Sequence, residues 1–156
     1  MKTLCLYYTR TNTTKEVIET IAQTIGADVA QYTDGKDRKG ILGYVGACFA
    51  TVNNVISKVS VKGEIDLRSY ERIIIGMPVW AEGPCAIGRA LIKKYFNEIP
   101  AEVYYVVTHM GEKNDYMMKI KAMDELLGKP SAGYVSIRTK DNDYIRESRT
   151  FAETLI

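Results

Sequence analysis

Residues 9–14 read Thr-Arg-Thr-Asn-Thr-Thr, a dense run of polar donors. They lie between a short apolar run, Leu4 to Tyr8, and a helical pattern that starts at once. The first N–H groups of a helix have no partner inside it, and the positive end of its dipole points the same way. A strand that turns into a helix there makes a ready anion site. Thr9, Thr11, Thr13 and Thr14 add hydroxyls, and Arg10 adds charge. One or two such residues would serve as an ordinary N-cap. Four threonines, an asparagine and an arginine in six positions exceed what a cap needs. The stretch therefore reads as a phosphate loop.

Two further stretches carry unusual residues. One is Gly76-Met77-Pro78-Val79-Trp80-Ala81-Glu82-Gly83-Pro84, and the other is Thr108-His109-Met110-Gly111. Each follows an apolar run. Tyr70 to Met77 contains Ile73-Ile74-Ile75, a β-branched run suited to a strand buried on both faces. Val103 to Val107 precedes the other.

The elements that position these loops alternate along the chain. Val17, Ile18, Ile21 and Ile25 form a helical stripe, ended by Gly26 in a left-handed cap. Ala27 to Thr33 reads as a strand stopped by Asp34-Gly35. Lys36-Asp37-Arg38-Lys39 reads as a charged turn. Val45, Phe49, Val52, Ile56 and Val59 recur at helical spacing, which predicts a helix near 43–57. Ile87, Leu91 and Tyr95 mark a third helix, closed before Pro100. Tyr116, Ile120, Met123 and Leu127 mark a fourth, closed by Gly128 and Pro130. Gly133 to Ile137 reads as an edge strand, and Tyr144, Ser148, Phe151 and Leu155 as a last helix. Five alternations predict an α/β fold with a doubly wound, five-stranded parallel sheet and helices on both faces. Ligands of such sheets bind outside the carboxyl ends of the strands. The loops 9–14, 78–84 and 108–111 all follow strands, so they are expected to meet on one edge.

Composition narrows the function classes. A length of 156 residues suits one domain, 1–156, with one core. The chain is 46% hydrophobic, so it should fold. Its 21 basic and 19 acidic residues give a formal charge of +2, too balanced to point to nucleic acid. No stretch approaches the ~20 apolar residues of a membrane span, so no membrane partner is expected. The N-terminus has about five apolar residues before Thr9, short of a signal-peptide core. Cys5, Cys48 and Cys85 are odd in number and form no CxxC pair. With a single His they make no convincing zinc site, and free thiols in a reducing cytoplasm are expected.

On these residues the chain resembles the flavodoxin-like FMN proteins. The family's phosphate loop runs Ser/Thr-x-Thr-Gly-Asn-Thr, and Thr9, Thr11 and Thr14 match it. Asn12 stands where the family has Gly, and Thr13 where it has Asn. Asn tolerates the left-handed backbone that such a Gly adopts. Gly76-Met77-Pro78-Val79-Trp80 is similar to the family's Gly-x-Pro-Val-Trp, a loop that flanks the isoalloxazine. Gly40-Ile41-Leu42-Gly43-Tyr44 resembles one subgroup. The resemblance implies strand order 2-1-3-4-5 with FMN at the switch point. It implies a cofactor site formed by Thr9, Arg10, Thr11, Asn12, Thr13 and Thr14, by Pro78, Val79, Trp80, Ala81, Glu82 and Gly83, and by Thr108, His109, Met110 and Gly111. FMN needs an anion cradle, an aromatic wall and backbone groups near its ring. Trp80 is either that wall or a side chain packed over the strand ends. Glu82 and Gly83 offer backbone to the flavin N5, or form a plain turn before Pro84. His109 is either catalytic or structural. Tyr44 either reaches over the cofactor or packs its helix.

Two related layouts are excluded. Tyrosine phosphatases of low molecular weight need five residues between a Cys and an Arg, and Cys5 to Arg10 encloses four. Receiver domains need an acidic cluster at the strand ends, and Thr9 to Asn12 holds no carboxylate. What remains is an oxidoreductase passing electrons from NAD(P)H to a quinone or similar small acceptor, or a carrier between redox partner proteins. A flavin-free scaffold is the third reading, and the resemblance also allows a homodimer. Carriers of this family have strongly acidic surfaces. Here residues 36–62 hold Lys36, Arg38, Lys39, Lys58 and Lys62 against Asp37, a net +4. That segment is either a solvated face or an attractor for an anionic partner, and it favours the enzyme.

Overall fold

Each predicted strand takes its place in one sheet because its apolar residues alternate between two covered faces. The computed structural model describes residues 1–53, 58–100 and 102–156. The strands are β1 (Thr3–Tyr7), β2 (Asp28–Thr33), β3 (Ser60–Val61), β4 (Arg72–Trp80), β5 (Gly83–Pro84), β6 (Glu102–His109) and β7 (Gly133–Arg138). The helices are α1 (Thr13–Ile25), α2 (Gly40–Asn53), α3 (Ala86–Tyr95), α4 (Met117–Leu127) and α5 (Tyr144–Glu153). The long strands run parallel in the order β2-β1-β4-β6-β7. Counted among themselves, they stand 2-1-3-4-5, the expected order. Chain order reverses beside β1, between β1 and β4, and the carboxyl ends there face the same way.

Alternation along β1 shows how the layers form. Leu4, Leu6 and Tyr8 face one core with Met77 of β4, Leu91 of α3 and Ile120 of α4. Cys5 and Tyr7 face the other with Ile18 of α1 and Ala152 of α5. Ile73, Ile74 and Ile75 are fully buried, as a strand covered on both faces requires. Gly76 sets the approach of α1: a Cβ there would lie 2.3 Å from Ile18 Cγ1.

Two short strands extend the expected sheet. β3 pairs antiparallel with the outer edge of β2. β5 folds back on β4, pairing Trp80 with Gly83. Thus Pro78, Val79 and Trp80 are strand rather than loop. Pro78 fits because its missing N–H falls near the end of β4, while its carbonyl accepts from the Cys85 amide at 3.0 Å.

α2 departs most from expectation. It runs Gly40–Asn53, and Ile56 of the predicted stripe lies outside the described residues. Val45, Phe49 and Val52 point outward, whereas Ala47, Ala50 and Thr51 are buried. The helical period is right, but the phase is reversed. Val59 is buried too, but in the segment leading to β3.

Candidate functional site

The three strand exits do meet. A cleft of about 490 Å³ is lined by Thr9, Arg10, Thr11, Thr13 and Thr14 on one side. Pro78, Val79, Trp80, Ala81 and Glu82 form a second side, and Thr108, His109, Met110 and Gly111 a third. Asn12 and Gly83 belong to these loops but do not line the cleft. Tyr44, Glu112, Lys113, Tyr116 and Thr139 also line it. Of these the sequence points to Tyr44 alone as a candidate cofactor contact, while Tyr116 reads as a helix residue. Glu112 and Lys113 simply continue the third loop, which was the available signal for them.

The first wall is built for an acceptor. Asn12 precedes α1 in the left-handed conformation, φ 72°, with no side-chain cap bond. Its carbonyl accepts from the Glu16 amide at 3.0 Å, so the helix starts there and its first amides stay open. Thr9 Oγ1 is buried without a hydrogen-bond partner. A buried donor left alone costs about 1–3 kcal/mol. Thr14 and Thr108 join hydroxyl to hydroxyl at 2.7 Å, tying the first loop to the third. Arg10 Nη1 donates to the Arg38 carbonyl at 3.4 Å, and its guanidinium lies 5.3 Å from the Tyr44 ring centroid.

The second wall is strained and filled from behind. Ala81 and Glu82 are both left-handed, with φ 48° and 63°, in a two-residue hairpin turn. That turn favours Asn or Gly, and a side chain there costs roughly 1–2 kcal/mol per residue. Trp80 is only 2% exposed. Its ring meets Tyr8 edge-on at 5.5 Å and lies 5.8 Å from the Arg38 guanidinium. The ring packs over the strand ends, and little of it is open to the cleft that it lines. Tyr44, half-exposed on the rim, is the most exposed aromatic side chain lining the cleft.

Arg38 was expected on a solvated turn, yet it is buried. Its two terminal nitrogens donate to Asp34 Oδ1 and Oδ2 at 2.8 and 2.6 Å. The Asp34 bond holds the guanidinium charged well above its ordinary value. Burial alone would raise the Asp34 carboxyl, but Arg38 and the Lys36 amide outweigh it and hold the pKa below the usual value. With Arg38 neutralised by Asp34, the basic segment reduces to scattered lysines, one of which, Lys62, donates to Gln31 at 2.8 Å.

On the third wall, His109 is buried, with an oxygen within hydrogen-bond distance of each ring nitrogen. Nδ1 lies 3.2 Å from the Gly111 carbonyl oxygen and Nε2 2.9 Å from Asn114 Oδ1. Ser136 donates to the same Oδ1 at 2.8 Å. Thr139 holds the His109 carbonyl through its amide at 2.8 Å.

Cys5 and Cys85 are buried, which pushes their thiols up to about 12 and disfavours the thiolate form at neutral pH. Among the described residues, no group of three or more His, Cys, Asp or Glu could hold a metal. Nor is any described helix long and apolar enough to cross a membrane. A larger cleft of about 650 Å³ is lined by Thr33, Gly35, Lys58, Lys93 and Lys94 among others. It holds none of the strand-exit loops of β1, β4 and β6.

Solved structures of like architecture cover nearly the whole chain. A flavoprotein from Lactobacillus acidophilus NCFM, crystallised in complex with FMN, aligns with a TM-score of 0.71 and 22% identity, over 96% of this chain and 98% of that one. The fold is flavodoxin-like. A flavodoxin from the domain Archaea aligns with a TM-score of 0.59 and 12% identity, over 99% of this chain and 96% of its own. A flavodoxin, WrbA-like protein from Agrobacterium tumefaciens gives 0.59 and 10%, over 98% and 93%. No protein-family model and no curated protein matches the sequence.

Proposed function

We propose that the cleft binds FMN and that the protein is a redox protein of the flavodoxin-like FMN family. The observation that carries this reading is the orphaned Thr9 hydroxyl beside the open amides of α1, after a left-handed Asn12. An unpaired buried donor at a helix N-terminus suits a phosphate, which returns the missing bond. The Lactobacillus flavoprotein's FMN complex supports the same choice.

Thr9, Thr11, Thr13 and the first α1 amides would hold the phosphate, with Arg10 supplying charge at the rim. Thr14 acts differently: its hydroxyl is already joined to Thr108 and fixes the loop. Ala81 and Glu82 are exposed and line the cleft, and their backbone groups suit contacts to the ring's polar edge. Tyr44 suits the aromatic wall, with Trp80 setting the shape behind it. His109 is assigned a bracing role, since its ring is buried and each ring nitrogen lies within hydrogen-bond distance of an oxygen of the same loop. Bound FMN would supply a ring that takes up and releases electrons.

The fuller reading is an oxidoreductase passing electrons from NAD(P)H to a quinone or similar small acceptor. Its support is the slightly basic charge balance, unlike an acidic carrier. The test is the visible spectrum of the purified protein, followed by NADH or NADPH addition without oxygen. The expected result is a flavin spectrum that bleaches. Bleaching only through a reductase protein makes it a carrier, and failure to bind FMN removes the redox reading.

A further inference from the structure

α2 is apolar on the wrong side. Over 14 residues it contains no Asp, Glu, Lys, Arg or His. Gly43, Ala47, Ala50 and Thr51 face inward or are half-buried, while Ile41, Leu42, Tyr44, Val45, Phe49 and Val52 are exposed by 47% (Tyr44) to 88% (Leu42). Ile41, Val45, Phe49 and Val52 stack along one stripe, with Leu42 beside Phe49. A helix apolar all round belongs inside something.

We propose that α2 packs against α2 of a second copy, antiparallel, around a two-fold axis passing between Gly46 and Phe49. Three observations select a second copy. The first is charge. A two-fold interface opposes a surface to itself, so any charge near its centre meets its like. α2 carries none, and the lysines before it, Lys36 and Lys39, lie beyond its end, where an interface has its polar rim.

The second is shape. Gly46 is exposed, and a Cβ added there meets nothing within 4 Å. Phe49 projects from the same side one turn later. Antiparallel pairing sets the Phe49 of each copy over the Gly46 notch of the other. One helix thus supplies both halves of the fit.

The third is area. Six large side chains at these exposures present on the order of 700 Å², taking roughly 150–200 Å² for each when fully exposed. The largest apolar patch of a monomer is usually about 300–600 Å². A stable interface takes about 800 Å² from each partner. Tyr44 lies on α2 and also lines the cleft, so the interface borders the cleft mouth. The proposal stands whether or not the cleft holds FMN.

Light scattering after size exclusion tests it, with Phe49→Asp and Gly46→Leu alongside the full chain. The expected mass is twice the 17.5 kDa of one chain. Phe49→Asp should halve it without changing the circular dichroism. Gly46→Leu should also halve it, while holding or raising the melting temperature, because Leu favours helix over Gly. A purely local role for α2 predicts the opposite pattern: unchanged mass in every variant. A wild-type monomer, or a dimer that survives both substitutions, overturns the proposal. So does a monomer that floats with phosphatidylglycerol vesicles through α2, which would make lipid the occupant.

Discussion

The wall formed by residues 9–14 and the wall formed by 78–82 face each other across one cleft, yet they are held in opposite ways. The first leaves its own needs open: the Thr9 hydroxyl has no partner, and the amides of α1 point outward. The second is over-supplied from behind, where Tyr8, Trp80 and the Arg38–Asp34 pair fill the space. Its unsatisfied quantity is torsional, stored in Ala81 and Glu82. So on the proposed reading the first wall offers a ligand its side chains and amides. The second offers its backbone, with the side chains serving to hold it.

The sharpest way to break this contrast is to loosen the second wall from behind. Asp34→Asn leaves the Arg38 charge buried without its partner, which should cost about 3–5 kcal/mol. Urea denaturation at neutral pH measures it. The carboxyl is depressed in the folded state, so its contribution is present above the unfolded value of about 3.9. It is lost as pH falls through the lower folded value. Wild-type stability should therefore drop in that acid window, and the variant's curve should be flatter there.

The first wall should answer with opposite signs for binding and stability. Thr9→Val keeps the shape and removes the orphan hydroxyl. FMN affinity should fall about tenfold or more, near 1.4 kcal/mol, while riboflavin affinity stays the same. Stability of the ligand-free chain should rise by about 1 kcal/mol, because a buried unpaired group is gone. Calorimetry with both ligands and a melting curve report the pair of effects. Equal losses for FMN and riboflavin would move the phosphate elsewhere.

Glu82→Gly sharpens the comparison from the other side. It relieves one left-handed side chain and should stabilise the ligand-free chain by up to about 1 kcal/mol. The smallest effect is expected at the exposed lysines. Lys36→Glu with Lys39→Glu should change stability by less than about 0.5 kcal/mol. Any slowing of reduction by NADPH should fade with salt, since screening acts over about 8–10 Å.

How far each region could be read from sequence follows the same division. The loop at 9–14 was legible because α1 is amphipathic and Gly26 ends it with φ 66°. The central strands were legible because their apolar runs are short and bounded. The hairpin at 80–83 was not, because Ala-Glu is no signature for a turn with two left-handed residues. The two-residue strand β3 is too short to show any period. Arg38 looked like surface because charge runs usually are; its pairing with Asp34 is made in an irregular turn that has no periodic signature. α2 hid its orientation because residues of every helical phase in it are uncharged, and periodicity alone cannot say which side faces in.

The Thr14–Thr108 hydroxyl bond joins residues 94 positions apart in the chain. Thr108 is held at this distance by the β6–β4 ladder, where it is paired with Pro78. The long search through chain conformations is therefore completed by folding itself, before any ligand arrives. A ligand spanning the first and third loops meets them already at their working distance, and loses affinity only to its own ordering.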